Sequence, residues 1–219
     1  MKHLRKFATE AEIQMLALPN VVLIEESGKV LYNALPSNGA YIQHIQGSLY
    51  TIAEWNATGY TSDKANGVAV IDDSAQFVIA KDELTEGAPW CANTSSVIYE
   101  IAQCGQESDA LKDFAGKENT RVMLTQGQYG AAYWCNSYLF PNGKNGYLPS
   151  AGEWKRAYKY RSVVEEAMAL IGGATLNRFW TSTQHSDTRS WWYRWSDNAL
   201  NNYLKTYNYP VRPFTTLLP

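Results

Sequence analysis

The histidines, cysteines and acidic pairs of this 219-residue chain do not form the patterns that catalysis or metal binding requires. His3, His44 and His185 have no partner at metal-ligand spacing, and the sequence holds no His-Glu-x-x-His or Cys-x-x-Cys motif. Nucleophile elbows and phosphate-binding glycine loops are also absent from it. The adjacent pair Glu165-Glu166 diverges on a helix, which indicates solvated charge rather than a paired acid and base. The sequence therefore predicts a protein that is not an enzyme and uses no metal or cofactor.

Three cysteines, Cys91, Cys104 and Cys135, are too few and too scattered for a disulfide framework. Their odd count, together with an N-terminus that lacks the apolar core of a secretion signal, predicts a protein made in a reducing bacterial cytoplasm. The simplest interpretation of the thiols is small apolar groups in the core. If the protein works outside the cell, we expect it to leave by lysis or specialised export.

Chemistry suited to binding is concentrated in residues 178–214. Tyr, Trp and Arg dominate interaction hot spots, and the small polar residues between them supply adaptable hydrogen bonds, as in antibody loops. In the strand predicted around 191–195, alternation places Trp192 and Arg194 on one face. We expect the other face in the core and this face to bind, with Tyr203, Tyr207 and Tyr209. Nine aromatic residues lie between positions 179 and 209: Phe179, Trp180, Trp191, Trp192, Tyr193, Trp195, Tyr203, Tyr207 and Tyr209.

The composition limits the classes of protein to which this chain can belong. The chain is 45% hydrophobic and 18% charged, with a net charge of −2 and a pI near 5.9. No basic footprint for nucleic acid is present, and no apolar run approaches the roughly 20 residues of a membrane span. We therefore expect neither nucleic-acid binding nor membrane insertion. At roughly 100–200 residues per domain, the length predicts one domain with a short appendage.

The appendage is predicted over residues 1–37. A capping box predicts a helix over 10–18, and two β-rich runs predict a hairpin over 21–32. A Pro-Ser-Asn-Gly cluster over 36–39 marks the boundary. This αββ piece is too short to have its own core, so it either packs on the main domain or attaches the protein to a larger assembly.

The main domain is predicted over 38–219 as an α+β fold. Alternating residues predict a hairpin over 68–79 around an acidic turn, while 94–102 and 126–140 indicate helical or mixed structure. Ser150 and Glu153 form a capping box that begins a helix ending near residue 160. A second helix is predicted over 162–171 and ends at Gly172-Gly173. We expect Trp154, Trp180, Trp191 and Trp195 to lie in the core.

Three motifs together resemble the formylglycine-generating, or sulfatase-modifying, branch of the C-type lectin fold. They follow the order and spacing of that branch, so the resemblance implies a C-type lectin fold with small twisted antiparallel sheets and flanking helices. The enzymes of the branch use a late cysteine pair, whereas no cysteine follows Cys135, and of the animal-lectin calcium signature only Trp195-Ser196-Asp197-Asn198 approximates one half. The motifs are Leu148-Pro149-Ser150-Ala151-Gly152-Glu153-Trp154, Phe179-Trp180-Thr181-Ser182-Thr183-Gln184 and Val211-Arg212-Pro213-Phe214.

The C-terminal segment is similar to the variable proteins of diversity-generating retroelements. These are receptor-binding proteins of the C-type lectin fold, on phage tail tips or bacterial surfaces, in which adenine-specific mutagenesis diversifies chosen codons. Trp cannot arise from an asparagine codon by adenine changes alone, so Trp192 either has another template codon or is not variable. The resemblance implies a variable region over about 178–214, with ligand-binding positions at His185, Asp187, Thr188, Arg189, Trp192, Arg194, Ala199, Asn201, Tyr203, Tyr207 and Tyr209.

These expectations combine into one function. The resemblance implies a non-catalytic protein that recognises a surface protein or glycan of a target cell, carried in a virion or otherwise exported. Residues 1–37 are then candidates for contact with phage tail components. The alternatives are a bacterial adhesin of fixed specificity and, with less support, an oxidase related to the formylglycine-generating enzymes.

Overall fold

The computed structural model describes residues 21–26, 29–34 and 36–217. Its strands are β1 (Val21–Glu26), β2 (Lys29–Ala34), β3 (Gly39–His44), β4 (Leu49–Tyr50), β5 (Ala65–Asp72), β6 (Ala75–Ile79), β7 (Leu84–Ala88), β8 (Arg178–Gln184), β9 (Arg189–Arg194), β10 (Ala199–Leu204), β11 (Tyr209–Val211) and β12 (Phe214–Thr215). Its helices are α1 (Ile52–Thr58), α2 (Glu107–Ala110), α3 (Gly116–Thr125), α4 (Ala131–Ser137), α5 (Ala151–Lys159) and α6 (Arg161–Leu170), with a 3₁₀ turn over Ser62–Lys64.

The described strands form four small antiparallel sheets. The largest has the order β12-β6-β5-β3-β4, and a three-stranded sheet has the order β10-β9-β8. Strands β11 and β7 form a pair, as do β1 and β2. The α+β class with small antiparallel sheets and flanking helices is thus confirmed. None of the helices in the described part of the chain is long and apolar enough to cross a lipid bilayer.

Both predicted hairpins are confirmed. In the pair β5–β6 the last register partners are Asp72 and Ala75, which places the acidic turn between them. In the pair β1–β2 the register runs from Val21 opposite Ala34 to Glu26 opposite Lys29. The helix predicted over 10–18 lies outside the described residues.

The capping box at the start of α5 is formed as predicted. The Ser150 amide donates to Glu153 Oε2 at 2.7 Å, and Tyr147 donates its hydroxyl proton to Glu153 Oε1 at 2.9 Å. Burial raises the pKa of the Glu153 carboxyl to about 7. The next helix, α6, is also confirmed, and Gly172 just beyond it adopts a φ of 69°. Only glycine takes this left-handed conformation without strain, so the predicted stop has its expected cause.

The region before α5 differs from the prediction. Residues 94–102 form neither helix nor strand, and the side chain of Gln184 binds the backbone of two of them, Ile98 and Ile101. Its Oε1 accepts from Ile98 N at 2.7 Å, and its Nε2 donates to the carbonyl of Ile101 at 3.1 Å. Within 126–140 the regular element is α4, and α3 before it was not predicted.

The core joins the helices to the sheets through stacked aromatic rings. Trp154 of α5 lies parallel to Phe179 and Tyr193, with ring centroids 5.1 Å and 5.9 Å away. A second cluster, centred on Trp90 and Trp180, lies on the opposite face of the β10-β9-β8 sheet. All four tryptophans predicted for the core, Trp154, Trp180, Trp191 and Trp195, are buried.

Candidate binding surface

One face of the three-stranded sheet carries five of the eleven predicted ligand-binding residues, which are Trp192, Arg194, Ala199, Asn201 and Tyr203. In the antiparallel register, Arg194 lies opposite Arg178 and Ala199, Trp192 lies opposite Asn201, and Ser190 lies opposite Tyr203. Residues directly opposite each other project from the same face, so this register fixes which side chains meet. The alternation predicted from the sequence is therefore the alternation of the strand.

Two exposed tyrosines lie on two buried aromatic rings at this face. Tyr203 and Tyr207 are 40% and 50% exposed, and their centroids lie 4.9 Å apart. Both contact Tyr209, which stacks on Trp192 at 5.2 Å and an interplanar angle of 22°. We call the surface formed by Arg178, Arg194, Asn201, Tyr203 and Tyr207 the tyrosine face.

Trp192 and Tyr209 were expected to contact ligand from an exposed position, and the structure places them elsewhere. They are only 8% and 7% exposed. The cause is β11, which pairs with β7 and lays Tyr209 over the Trp192 ring. The two residues therefore support the tyrosine face from beneath.

The charges of the tyrosine face are partly balanced. Arg194 donates to both carboxylate oxygens of Asp197, at 2.7 Å and 2.6 Å, and its guanidinium lies 5.8 Å from the Trp192 ring centroid. This bidentate contact lowers the pKa of Asp197. Burial raises the pKa of Tyr209, and the nearby Arg178 cation opposes that rise. Arg178 is exposed, so the face offers a cation beside its aromatic rings.

The four remaining predicted residues lie in the turn between β8 and β9 and at the first position of β9, beyond the end of the face that holds Tyr203. Asp187 and Arg189 are exposed, and Arg189 Nη1 donates to Asn202 at 3.0 Å. His185 packs edge-on against Trp191 at 5.0 Å, and burial followed by the Arg189 cation lowers its pKa. Thr188 is half-buried, and its carbonyl accepts from the backbone amide of Lys205. The eleven positions thus form a face and an adjoining turn.

Two buried cationic side chains, Lys205 and Arg212, hold the segments around this surface. The sequence analysis singled out only Arg212. Lys205 is fully buried and donates Nζ to the carbonyl of Ser96 at 2.9 Å and to Gln184 Oε1 at 3.0 Å. Burial lowers its pKa. Arg212, in the Val211-Arg212-Pro213-Phe214 motif, donates to the carbonyls of Ala80 at 3.0 Å and Lys81 at 2.7 Å. Lys205 was missed because a lone lysine among aromatic residues resembles any surface lysine.

The residue types that could catalyse a reaction or bind a metal are either separated from one another or buried. Within the described ranges, no group of three or more His, Cys, Asp or Glu residues could hold a metal ion. The three cysteines are free and buried, and burial raises the pKa of Cys91 to about 11. A thiol with a raised pKa is a poor nucleophile at neutral pH.

Comparison with known proteins gives a fold relationship. No protein-family model and no curated protein matches the chain. The fold is similar to that of a fimbrial protein. That protein, from Bacteroides ovatus, is known from a crystal structure and aligns with a TM-score of 0.59 at 15% sequence identity. The alignment covers 83% of this chain and 49% of the fimbrial protein, so the chain spans about half of its length.

Proposed function

We propose that this chain is a non-catalytic receptor-binding protein whose tyrosine face recognises a protein or glycan on a target-cell surface. What supports this function is the pair Tyr203 and Tyr207, each about half exposed, resting on the buried stack of Tyr209 and Trp192. Packing accounts for the size of the buried rings, whereas Tyr203 and Tyr207 pack on Tyr209 and still leave about half of their surface open to a ligand.

The arrangement suits binding for a physical reason. Tyrosine supplies a large contact area with few rotatable bonds, and the two rings are already held against Tyr209 before ligand arrives. Asn201 and Arg178 beside them supply hydrogen bonds and charge that adapt to different ligands. Little side-chain entropy is lost on association, so this part of the cost of binding is small for each ring.

We further propose that the domain has a C-type lectin fold of the kind found in variable proteins of diversity-generating retroelements. The protein would then be carried by a phage tail or a bacterial surface structure, with residues 1–37 as the attachment element. Burial divides the candidate positions. Diversified codons are expected at His185, Asp187, Thr188, Arg189, Arg194, Ala199, Asn201, Tyr203 and Tyr207, while Trp192 and Tyr209 belong to the fixed frame.

A fixed-specificity adhesin is the second candidate. It is favoured by the fold shared with a fimbrial protein. Both candidates use the same face, and they differ in whether its codons vary between copies of the gene. Sequencing codons 178–214 in a natural population, and searching the flanking DNA for a near-copy beside a reverse transcriptase, separates them. Changes confined to template adenines support the diversified protein, and a uniform segment without a near-copy supports the adhesin.

Binding itself is tested by flow cytometry of fluorescently labelled protein on a panel of bacterial cells, together with a glycan array. Tyr203→Ala combined with Tyr207→Ala should reduce binding at least about tenfold, since aromatic hot spots contribute about 2 kcal/mol or more. Tyr99→Ala is the matched control, because Tyr99 is 76% exposed and is not one of the residues that form the face. If the double variant binds as well as the control, the tyrosine face is not the binding surface.

A further inference from the structure

A second group of exposed aromatic residues lies around α4, outside every position predicted from the sequence. Tyr129, Tyr133 and Trp134 are 59%, 44% and 48% exposed. Their rings contact edge-on, with centroids 5.4 Å apart for the tyrosine pair and 5.9 Å apart for Tyr133 and Trp134. The buried side of α4 is formed by Ala131, Ala132 and Cys135, so the large rings are not needed to pack the helix. Adjoining exposed rings of this size indicate an interaction surface.

Trp134 borders a groove that runs along β7. The groove has a volume of about 270 Å³ and is otherwise lined by residues 83, 84 and 86–88. This volume suits one amino-acid side chain with its adjoining backbone. Among the described strands, β7 pairs with β11 alone. The groove is thus a concave site with an aromatic wall, beside a strand.

The charge of the groove is negative. Two of its lining residues are Glu83 and Glu86, and none is a lysine or arginine. Glu83 contacts Arg212 at 3.3 Å, but that guanidinium is fully buried and also serves backbone carbonyls. Glu86 is exposed and has no ion-pair partner among the described residues. A carboxylate therefore stands beside an exposed indole, without a cation to balance it.

We propose that this groove binds a lysine or arginine side chain from a partner polypeptide. The cation lies against the face of Trp134, where the ring quadrupole attracts it, and forms an ion pair with Glu86. The apolar stem of the same side chain covers Leu84 and Ala88. An apolar side chain would instead remove the carboxylates from water without a partner. A neutral saccharide would leave the charge of Glu86 unused.

The groove contains no residue of the tyrosine face, and the proposal that it binds a basic side chain does not depend on the proposed function. The groove and the face are linked through Ala88, which is the register partner of Tyr209, and through Leu84, which packs on the cluster that contains Trp192 and Tyr209. Variants of Tyr203 and Tyr207 are therefore expected to leave the groove unchanged. Variants of the groove likewise leave the exposed tyrosines in place.

The test uses the full chain labelled with ¹⁵N and observes the indole N–H resonance of Trp134, assigned by its loss in Trp134→Phe. The probe is the peptide acetyl-Lys-Lys-Lys-amide, and the comparison ligands are the matched norleucine peptide and maltotriose. We expect the lysine peptide to shift this resonance in a saturable manner, with an affinity that falls as salt concentration rises. In variants that lack this indole, binding is followed at the backbone amide resonance of Gly87, which lines the groove. Glu86→Gln and Trp134→Ala should each weaken binding about fivefold or more.

Glu166→Gln is the matched charge control, because Glu166 is an exposed carboxylate on α6, and it should bind the peptide as the parent does. The proposal is overturned if the lysine peptide produces no saturable shift at Trp134. It is also overturned if Glu86→Gln binds like Glu166→Gln, or if maltotriose or the norleucine peptide binds more tightly. Trp134→Phe, which keeps an aromatic wall, distinguishes loss of the site from loss of folding.

Discussion

Replacing Trp192 by alanine should destabilise the protein substantially, although the sequence pattern placed Trp192 in a binding role. The ring is 8% exposed, stacks on Tyr209 and belongs to the cluster that contains Trp180. Removing a buried tryptophan typically costs about 3–5 kcal/mol through lost burial and the cavity left behind. Trp192 Nε1 has no hydrogen-bond partner among the described residues, so no hydrogen bond is lost with the ring. We therefore expect about 3 kcal/mol.

The loss is measured as a shift in the urea unfolding midpoint and in Tm. For a chain of this size, about 3 kcal/mol corresponds to a decrease in Tm of roughly 6–12 °C. Tyr207→Ala is the matched aromatic control, since that ring is half exposed, and it should change Tm little. Arg194→Ala removes an exposed ion pair and a cation–π contact with Trp192, and should lower the midpoint only slightly. A Tm for Trp192→Ala equal to that of Tyr207→Ala would refute the buried placement and return Trp192 to the ligand-contacting surface.

Three further outcomes follow from buried groups. Glu153 has a pKa of about 7 in the folded state against roughly 4.3 unfolded, so the free energy of unfolding should fall as the pH rises from about 4.5 to 7. Glu153→Gln should remove that fall, worth about 3 kcal/mol, when urea unfolding is compared at pH 5 and pH 8. Arg212→Met should lower the free energy of unfolding by about 3–5 kcal/mol, because it leaves buried carbonyls and Glu83 unpaired. Its control, Arg121→Ala on the surface of α3, should have no measurable effect on the urea unfolding curve. Ellman's reagent should modify the native protein only as fast as it unfolds and should titrate all three thiols in guanidinium, because each is buried: Cys91, Cys104 and Cys135.

The parts of the fold that could be predicted are those determined by local contacts. The capping box at Ser150 and Glu153 and the left-handed Gly172 act within a single turn of helix, so their effect is visible in the sequence. The hairpin of β5 and β6 likewise depends on alternation and on a turn between neighbouring strands. These elements also position Trp154, whose burial was predicted correctly.

The parts that could not be predicted depend on distant side chains. Residues 94–102 are held in an irregular conformation by Gln184, more than 80 positions along the chain. Helix α3 was missed because its buried side includes Asn119 and Thr120, which gives no apolar stripe. Alternation in β9 correctly divided the strand into two faces. It could not show that β11 returns and covers Trp192, because that requires the pairing of β11 with β7.

The two buried cations have a consequence for how this protein can evolve or be engineered. Arg212 binds mainly to main-chain carbonyls, those of Ala80 and Lys81 among them, and Lys205 binds the main-chain carbonyl of Ser96 as well as the side chain of Gln184. A main-chain carbonyl is present whatever side chain its residue carries, so hydrogen bonds to carbonyls depend little on the amino-acid sequence of the segments that accept them. The tyrosine face can therefore be randomised at Asn201, Tyr203 and Tyr207 without loosening its supports. Such a scaffold would serve as a display library in which recognition is altered while folding is preserved.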